Sequence, residues 1–226
     1  ACSTIRESGL SLLVSVLRAV RGQDQVARVL PLFPQCLARF SPEIMESPEL
    51  NEVDIDLITE FAALHLLPEY NPNAAEAVKT NPRGQFSAQG VEALSLHYET
   101  ITRGIKQHIQ HRIDLYSQDP EMNAPKAADE RLADKVFRLV RILLVVDERL
   151  VEQIVFPLYQ HFLACFPTSS ARSANGPNSS PLYPFREEPL LTTFAAAAAH
   201  HPQKFLSLAA TGGLESAAVG AQKIMG

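Results

Sequence analysis

The chain has 226 residues, of which 46% are hydrophobic and 20% are charged, a composition that excludes a disordered protein and suits one large globular domain or two small ones. The formal net charge of −5 argues against a surface built mainly to neutralise phosphate groups. No segment reaches the roughly 20 apolar residues that are needed to span a bilayer.

Helix-start signals dominate the first part of the chain. Thr4 followed by Glu7 is a capping-box pattern, and the apolar residues behind it recur at helical spacing. A second helix is predicted from Asp24. Because each proline removes a backbone donor and crowds the preceding turn, Pro31 and Pro34 are expected to kink or divide that helix.

The next helix is predicted to follow Asn51, whose side chain can cap its first turn. Before it, two Ser-Pro-Glu triplets that begin at Ser41 and Ser47 are typical of helix starts. The apolar stripe of the helix consists of Leu57, Ile58, Phe61 and Leu64. Pro68 helps to end it, and the Pro- and Asn-rich residues 68–86 are predicted to be mainly loop.

Two long helices are predicted in the middle of the chain. Ser87–Gln118 carries one narrow apolar stripe with spacings of three and four residues, made of Val91, Leu94, Tyr98, Ile101, Ile105, Ile109, Ile113 and Tyr116. The second helix is predicted from Lys126 to Phe166. Its middle, Leu139–Val146, is apolar nearly all round, and Pro157 is expected to kink it. The short connection between the two helices predicts an antiparallel helical hairpin.

A change in composition marks the one plausible internal boundary. Residues 167–188 are interpreted as a Ser-, Pro- and Asn-rich connecting loop between a main helical domain, 1–166, and C-terminal helices in 189–226, which are expected to pack on that domain. Helices are predicted to start at Pro189 and at Pro202. The predicted fold class is therefore all-α: an irregular multi-helix bundle around a long antiparallel helical hairpin, with a short-helix C-terminal region.

The sequence lacks the motifs of the common catalytic and cofactor sites. It has no GxGxxG or GxxxxGK(S/T) loop for a nucleotide, and no GxSxG turn for a serine nucleophile. The three cysteines are far apart without a CxxC pair, which favours reduced thiols in the cytoplasm or an organelle matrix. Because the sequence starts at Ala1, removal of a targeting segment is one interpretation. We assign no catalytic, cofactor-binding or metal-ligating residue, expect no cofactor, and favour a protein that is not an enzyme.

Histidine spacing raises the question of a metal site. His108 and His111, with Asp114 another turn on, could share one ion, but they flank a polar face on which solvated histidines are expected. Transition-metal sites need three or four ligands in closed geometry, so no metal is predicted here. His200 and His201 fit the preference for a cation near a helix C-terminus.

One basic stripe could face RNA or an anionic lipid. It comprises Arg131, Lys135 and Arg138, with Arg141 nearby, on the second long helix. Acidic residues interleave with these cations, and Asp134 with Arg138 is a favourable i, i+4 pair. No aromatic residues alternate with the cations to stack on bases. A solvated, self-paired face is therefore predicted, and no nucleic acid partner is expected.

Two short stretches, Thr4–Leu17 and Phe205–Ser216, resemble armadillo-type helical repeats, in which a glycine separates one repeat from the next. The resemblance implies a solenoid that binds a protein partner. The two long central helices depart from the short helices of such repeats.

The predicted function is a non-catalytic helical structural or interaction subunit of a larger multi-protein assembly. Its partners would be other protein subunits, and association with a membrane complex stays open. Pro167–Pro184 lacks the apolar content to order itself, so a partner surface or this chain's own helices are expected to hold it. The candidate protein-interface residues are Tyr183, Phe185, Phe194 and Phe205. The alternatives are a free-standing armadillo/HEAT-like adaptor, and an enzyme or small-ligand carrier with a pocket between helices.

Overall fold

The computed structural model is helical almost throughout the part of the chain that it describes, and no strand occurs there. The described residues are 2–19, 25, 28–32, 52–66, 88–118, 126–145, 147–165 and 185–211. Their helices pack on one another around a common apolar core. This confirms the predicted all-α, multi-helix bundle.

The first described helices surround a central one. Helix α1 (Cys2–Ala19) begins two residues before Thr4, so Thr4 lies inside the helix rather than at its N-cap. Of the next predicted helix only residues 25 and 28–32 are described, and they include a 3-10 turn at Leu30–Leu32 that contains Pro31. Pro34 lies outside the described residues. Helix α2 (Glu52–Leu66) packs against α1 and against both of the following helices. It is therefore the hub of the bundle.

Helix α3 (Ala88–Gln118) confirms the first long helix of the predicted hairpin. Its stripe faces the core, where the most buried members are between 0% and 6% exposed: Tyr98, Ile101, Ile105 and Ile109. Because this stripe is narrow, the rest of the surface of α3 has to be covered by other elements or left to solvent.

The second long helix is not continuous, which corrects the prediction of one helix over Lys126–Phe166. Helix α4 (Ala127–Leu143) ends in a turn, a π-helical turn follows at Val151–Val155, and helix α5 (Phe156–Cys165) completes the segment. Pro157 has no N–H to donate to the preceding turn. The π turn lies immediately before it, with the amide of Phe156 donating to the carbonyl of Val151.

The chain reverses between α4 and α5. Arg112 of α3 lies 3.7 Å from Asp129 at the start of α4, whereas Arg149, beyond the end of α4, lies 5.4 Å from the ring centre of Tyr98. Helix α4 thus runs antiparallel to α3, as the hairpin prediction requires. The segment after the turn then runs back along α3 in the parallel direction.

The C-terminal helices pack on this core. Helix α6 (Glu187–His200) contacts α4 and the π turn, and further helical residues follow at 202–211. Helix α6 begins two residues before the predicted start at Pro189. Proline is tolerated there because the first N–H groups of a helix have no partner within it. Pro167–Pro184 and residues 212–226 lie outside the described residues.

Candidate functional site

An open groove runs along one flank of α3, between this helix and residues 149–161, and we call it the α3 groove. One half has a volume of about 370 Å³ and is lined by Tyr98, Glu99, Thr102, Arg103, Lys106, Gln107, Arg149 and Gln153. The other half has a volume of about 150 Å³ and is lined by Lys106, Ile109, Gln110, Ile113, Gln153, Ile154, Pro157, Leu158 and His161. Lys106 and Gln153 line both halves, so the two adjoin.

The chain reversal after α4 builds the second wall of the groove. Asp147 accepts a hydrogen bond of 2.8 Å from the amide of Arg149 and so caps the helical segment that follows. The same carboxylate binds the guanidinium of Arg149. Burial raises the pKa of Asp147, but the hydrogen bonds from Arg149 outweigh that effect and the net pKa is lowered. This carboxylate therefore stays ionised and serves a structural role.

The polar half of the groove combines hydroxyls with cations. Burial raises the pKa of Tyr98 to about 12, with the charge of Asp147 acting in the same direction and Thr102 and Arg149 opposing it. Tyr98 is therefore a neutral hydroxyl at ordinary pH. The buried hydroxyls of Tyr98 and Thr102 have no hydrogen-bond partner of normal geometry among the described residues.

Two cations in this half are not neutralised by the described part of the chain. Arg103 and Lys106 are exposed, and neither forms an ion pair with a described residue. Glu99, four residues before Arg103, lines the same half but lies outside ion-pair distance of it. Sequence reasoning missed this pair of cations. Their signal is weak: two basic residues three apart, on the flank of a narrow apolar stripe.

The basic stripe of α4 is neutralised by another helix, which corrects the prediction of a solvated, self-paired face. Asp134 pairs with Arg186 at 3.1 Å and not with Arg138, which lies 3.6 Å from Glu60. We call the following set the charge ladder: Glu52, Asp56 and Glu60 of α2 with Arg131, Lys135 and Arg138 of α4 and Arg18 of α1.

Contacts in the charge ladder are close and partly shielded from water. Lys135 lies 2.7 Å from Asp56 and 3.3 Å from Glu52, and Arg18 lies 2.8 Å from Glu60, whose side chain is only 5% exposed. Burial raises the pKa of Glu52, but hydrogen bonds from Arg131 and Lys135 outweigh it and the net pKa is lowered. The ladder therefore joins three helices through paired charges.

The fourth cation of the predicted stripe, Arg141, faces the C-terminal helix. It is 8% exposed, and its guanidinium donates to the hydroxyl of Thr193 at 3.2 Å and to the carbonyl of Pro189 at 3.4 Å. Arg141 therefore anchors α6 on α4 and is not presented to a partner.

The predicted interface aromatics are mostly inside the chain. Phe185 is 7% exposed and meets the ring of Phe137 edge-on at 5.2 Å. Phe194 is 6% exposed and contacts the rings of Tyr159 and Phe162. Phe205 is partly buried against Tyr159. These three side chains stabilise the packing of the C-terminal helices, and Tyr183 lies outside the described residues.

The histidines also differ from the prediction of a solvated pair. His111 is exposed, but His108 is partly buried. Burial lowers the pKa of His108 to about 4, and the positive charge of Arg112 adds to the effect. His200 lies in the last turn of α6, at the helix C-terminus predicted for this pair, whereas the ring Nε2 of His201 binds the carbonyl of Leu144 just past the end of α4.

Within the described ranges, no three His, Cys, Asp or Glu side chains are close enough together to hold a metal ion. None of the helices in those ranges is both long and apolar enough to cross a membrane. Comparison of the chain with protein-family models, with curated proteins and with solved structures found no match.

Proposed function

We propose that the chain is a non-catalytic helical subunit of a larger multi-protein assembly, to which it contributes interaction surface. The observation that carries the proposal is large apolar side chains on helix faces that point away from the core. Leu12 and Val16 of α1 are 67% and 45% exposed, and Leu96 of α3 is 79% exposed. Exposed apolar area of this kind, where it is contiguous, is typical of protein contact sites.

The clearest such face is on α1. Leu12 and Val16 are four residues apart and therefore neighbours along the helix, whereas Val14 and Leu17 on another side of it are 4% and 0% exposed. Helix α1 thus has one apolar face on α2 and a second that the described residues leave exposed. A partner helix that covered Leu12 and Val16 would remove this surface from water.

The proposal is tested by the size of the native particle. The tagged full chain, recovered from its own cells, is expected to migrate in native electrophoresis well above its monomer mass of 24.8 kDa. The double variant Leu12→Asp, Val16→Asp is expected to shift it towards the monomer position, because charged side chains are depleted from interface cores. The double variant Ser11→Asp, Ser15→Asp is the matched control, since it adds the same two charges at exposed positions of α1 and keeps Leu12 and Val16.

Thermal unfolding of the purified double variant has to stay close to that of the wild type, because both residues are exposed. A wild-type chain that migrates as a monomer would exclude the subunit role. A small-ligand carrier would then be the favoured function, and the α3 groove is the observation that favours it.

A further inference from the structure

The α3 groove has a chemical polarity along its length. Its larger half presents the cations Arg103 and Lys106, whereas its smaller half has an aliphatic floor of Ile109, Ile154 and Leu158, with Ile113 at the side. Lys106 lies at the junction of the two halves. A ligand that followed the groove would therefore meet positive charge first and apolar side chains next.

The charges in the groove favour an anion of low charge. Arg149 is already bound by Asp147, which leaves Arg103 and Lys106 as the cations without an ion pair among the described residues. Glu99 stands at the same end and would oppose a second negative charge. The exposed amide of Gln153 lines this half and can donate a hydrogen bond to an oxyanion.

We propose that the α3 groove binds an aliphatic monocarboxylate. The carboxylate lies between Arg103 and Lys106, and the hydrocarbon chain lies on the floor formed by Ile109, Ile154 and Leu158. The match is one of charge with charge and of apolar chain with apolar floor. The half that would hold the carboxylate has a volume of about 370 Å³, and the half that would hold the hydrocarbon chain has about 150 Å³. The inference goes beyond the subunit role, since it concerns a ligand of the isolated chain.

The proposal is tested with sodium octanoate as the probe on the purified full chain, with isoleucine methyl groups labelled for NMR. The methyl signals of Ile109, Ile113 and Ile154 are expected to shift in a saturable way, whereas those of Ile55 and Ile142, which are buried outside the groove, stay in place. Lengthening the chain from hexanoate to octanoate is expected to strengthen binding about two- to fourfold per methylene group.

Octan-1-ol and inorganic phosphate separate the two parts of the recognition. Both are expected to bind more weakly than octanoate, because the alcohol lacks the charge and phosphate lacks the chain. Binding of octanol as tight as that of octanoate would overturn the proposal, and so would shifts spread over all isoleucine methyls or the absence of a saturable shift.

Removing a cation and removing the acid of the groove are expected to change the affinity for octanoate in opposite directions. Arg103→Gln and Lys106→Gln are each expected to weaken octanoate binding about two- to fivefold at low salt, the size of an exposed ion pair. Glu99→Gln is expected to strengthen it, because it removes the opposing charge. Lys126→Gln is the matched control, since Lys126 is exposed and does not line the groove. Equal affinities in all four variants would overturn the assignment.

Discussion

In both the charge ladder and the α3 groove, cations of a long helix lie near a neighbouring segment of the chain. The two regions differ in whether that segment supplies acids that pair with the cations. In the ladder, each cation of α4 lies within 3.6 Å of an acid of α2. In the groove, Arg103 and Lys106 face a wall whose one cation, Arg149, is bound by its own neighbour Asp147. The first region joins helices, whereas the second keeps two cations without an ion pair among the described residues.

The difference lies in the facing segment and not in the cations. Glu52, Asp56 and Glu60 are spaced four apart on α2, which runs parallel to α4, so successive turns of the two helices meet in register. The segment 149–161, which lies opposite Arg103 and Lys106, places no carboxylate in the lining of the groove. A basic stripe can therefore be interpreted only together with the helix that packs on it.

The largest expected effect comes from Leu143→Asp, because α4 supports both regions. Leu143 is fully buried at the end of α4, just before the turn that leads into the groove wall. Burying an unpaired carboxylate there is expected to lower the free energy of unfolding by about 3 to 5 kcal/mol. Urea unfolding measures the loss, and Leu96→Asp at a 79% exposed position is expected to cost less than about 0.5 kcal/mol. Equal losses in the two variants would mean that α4 is misplaced.

The comparison itself is tested by reversing one cation in each region. Lys135→Glu places a third acid beside Glu52 and Asp56 and is expected to lower the free energy of unfolding by about 2 kcal/mol. Lys106→Glu is expected to change it by no more than about 0.5 kcal/mol. Both changes in the free energy of unfolding are measured by chemical denaturation at low salt. Added salt is expected to reduce the loss in Lys135→Glu, because salt screens the repulsion between the acids. A larger loss for Lys106→Glu would show that the groove cation has a structural partner.

Much of the fold could be predicted from periodicity. The apolar stripe of α3 predicted a long helix with a single buried face, and the structure has that helix. The apolar run at the end of α4 predicted burial on several sides, and Leu139–Leu144 are all buried. The reversal after Leu143 could not be predicted, because the apolar run continues through it and no Gly or Pro marks the turn. The apolar second half of α2, Phe61–Leu66 apart from His65, indicated burial, but the sequence does not show which helices pack on it.

The candidate site could be predicted far less well. Phe185 and Phe194 were predicted to be interface candidates, but rings of α4 and α5 lie opposite them and bury them. Arg103 and Lys106 carry no motif, and their importance depends on the segment that returns past them after the reversal. Local sequence patterns contain no information on such a distant neighbour, so the groove could be found only from the structure.

The smallest expected effect concerns His108 of α3, which belongs to neither region. Burial is the main cause that lowers its pKa from 6.5 to about 4; the charges of Arg112 and His111 act in the same direction, and Asp129 opposes them. Above pH 6.5 the ring is neutral in the folded and the unfolded chain, so it does not affect stability. Between pH 6.5 and 4 the unfolded chain takes up a proton that the folded chain does not, which favours unfolding. The full shift would correspond to about 3 kcal/mol, but His108 is only partly buried, so about 1 to 2 kcal/mol is expected.

The measurement for His108 is the fall in unfolding free energy between pH 7.5 and 4.5. In His108→Gln that fall is expected to be about 1 to 2 kcal/mol smaller than in the wild type, because glutamine does not titrate. Burial also lowers the pKa of His161, so part of the fall remains in this variant. His111→Gln, at an exposed position one turn further along α3, is the matched control and is expected to leave most of the fall in place. If both variants gave the wild-type pH dependence, His108 would not have a lowered pKa in the folded chain and the prediction would be wrong.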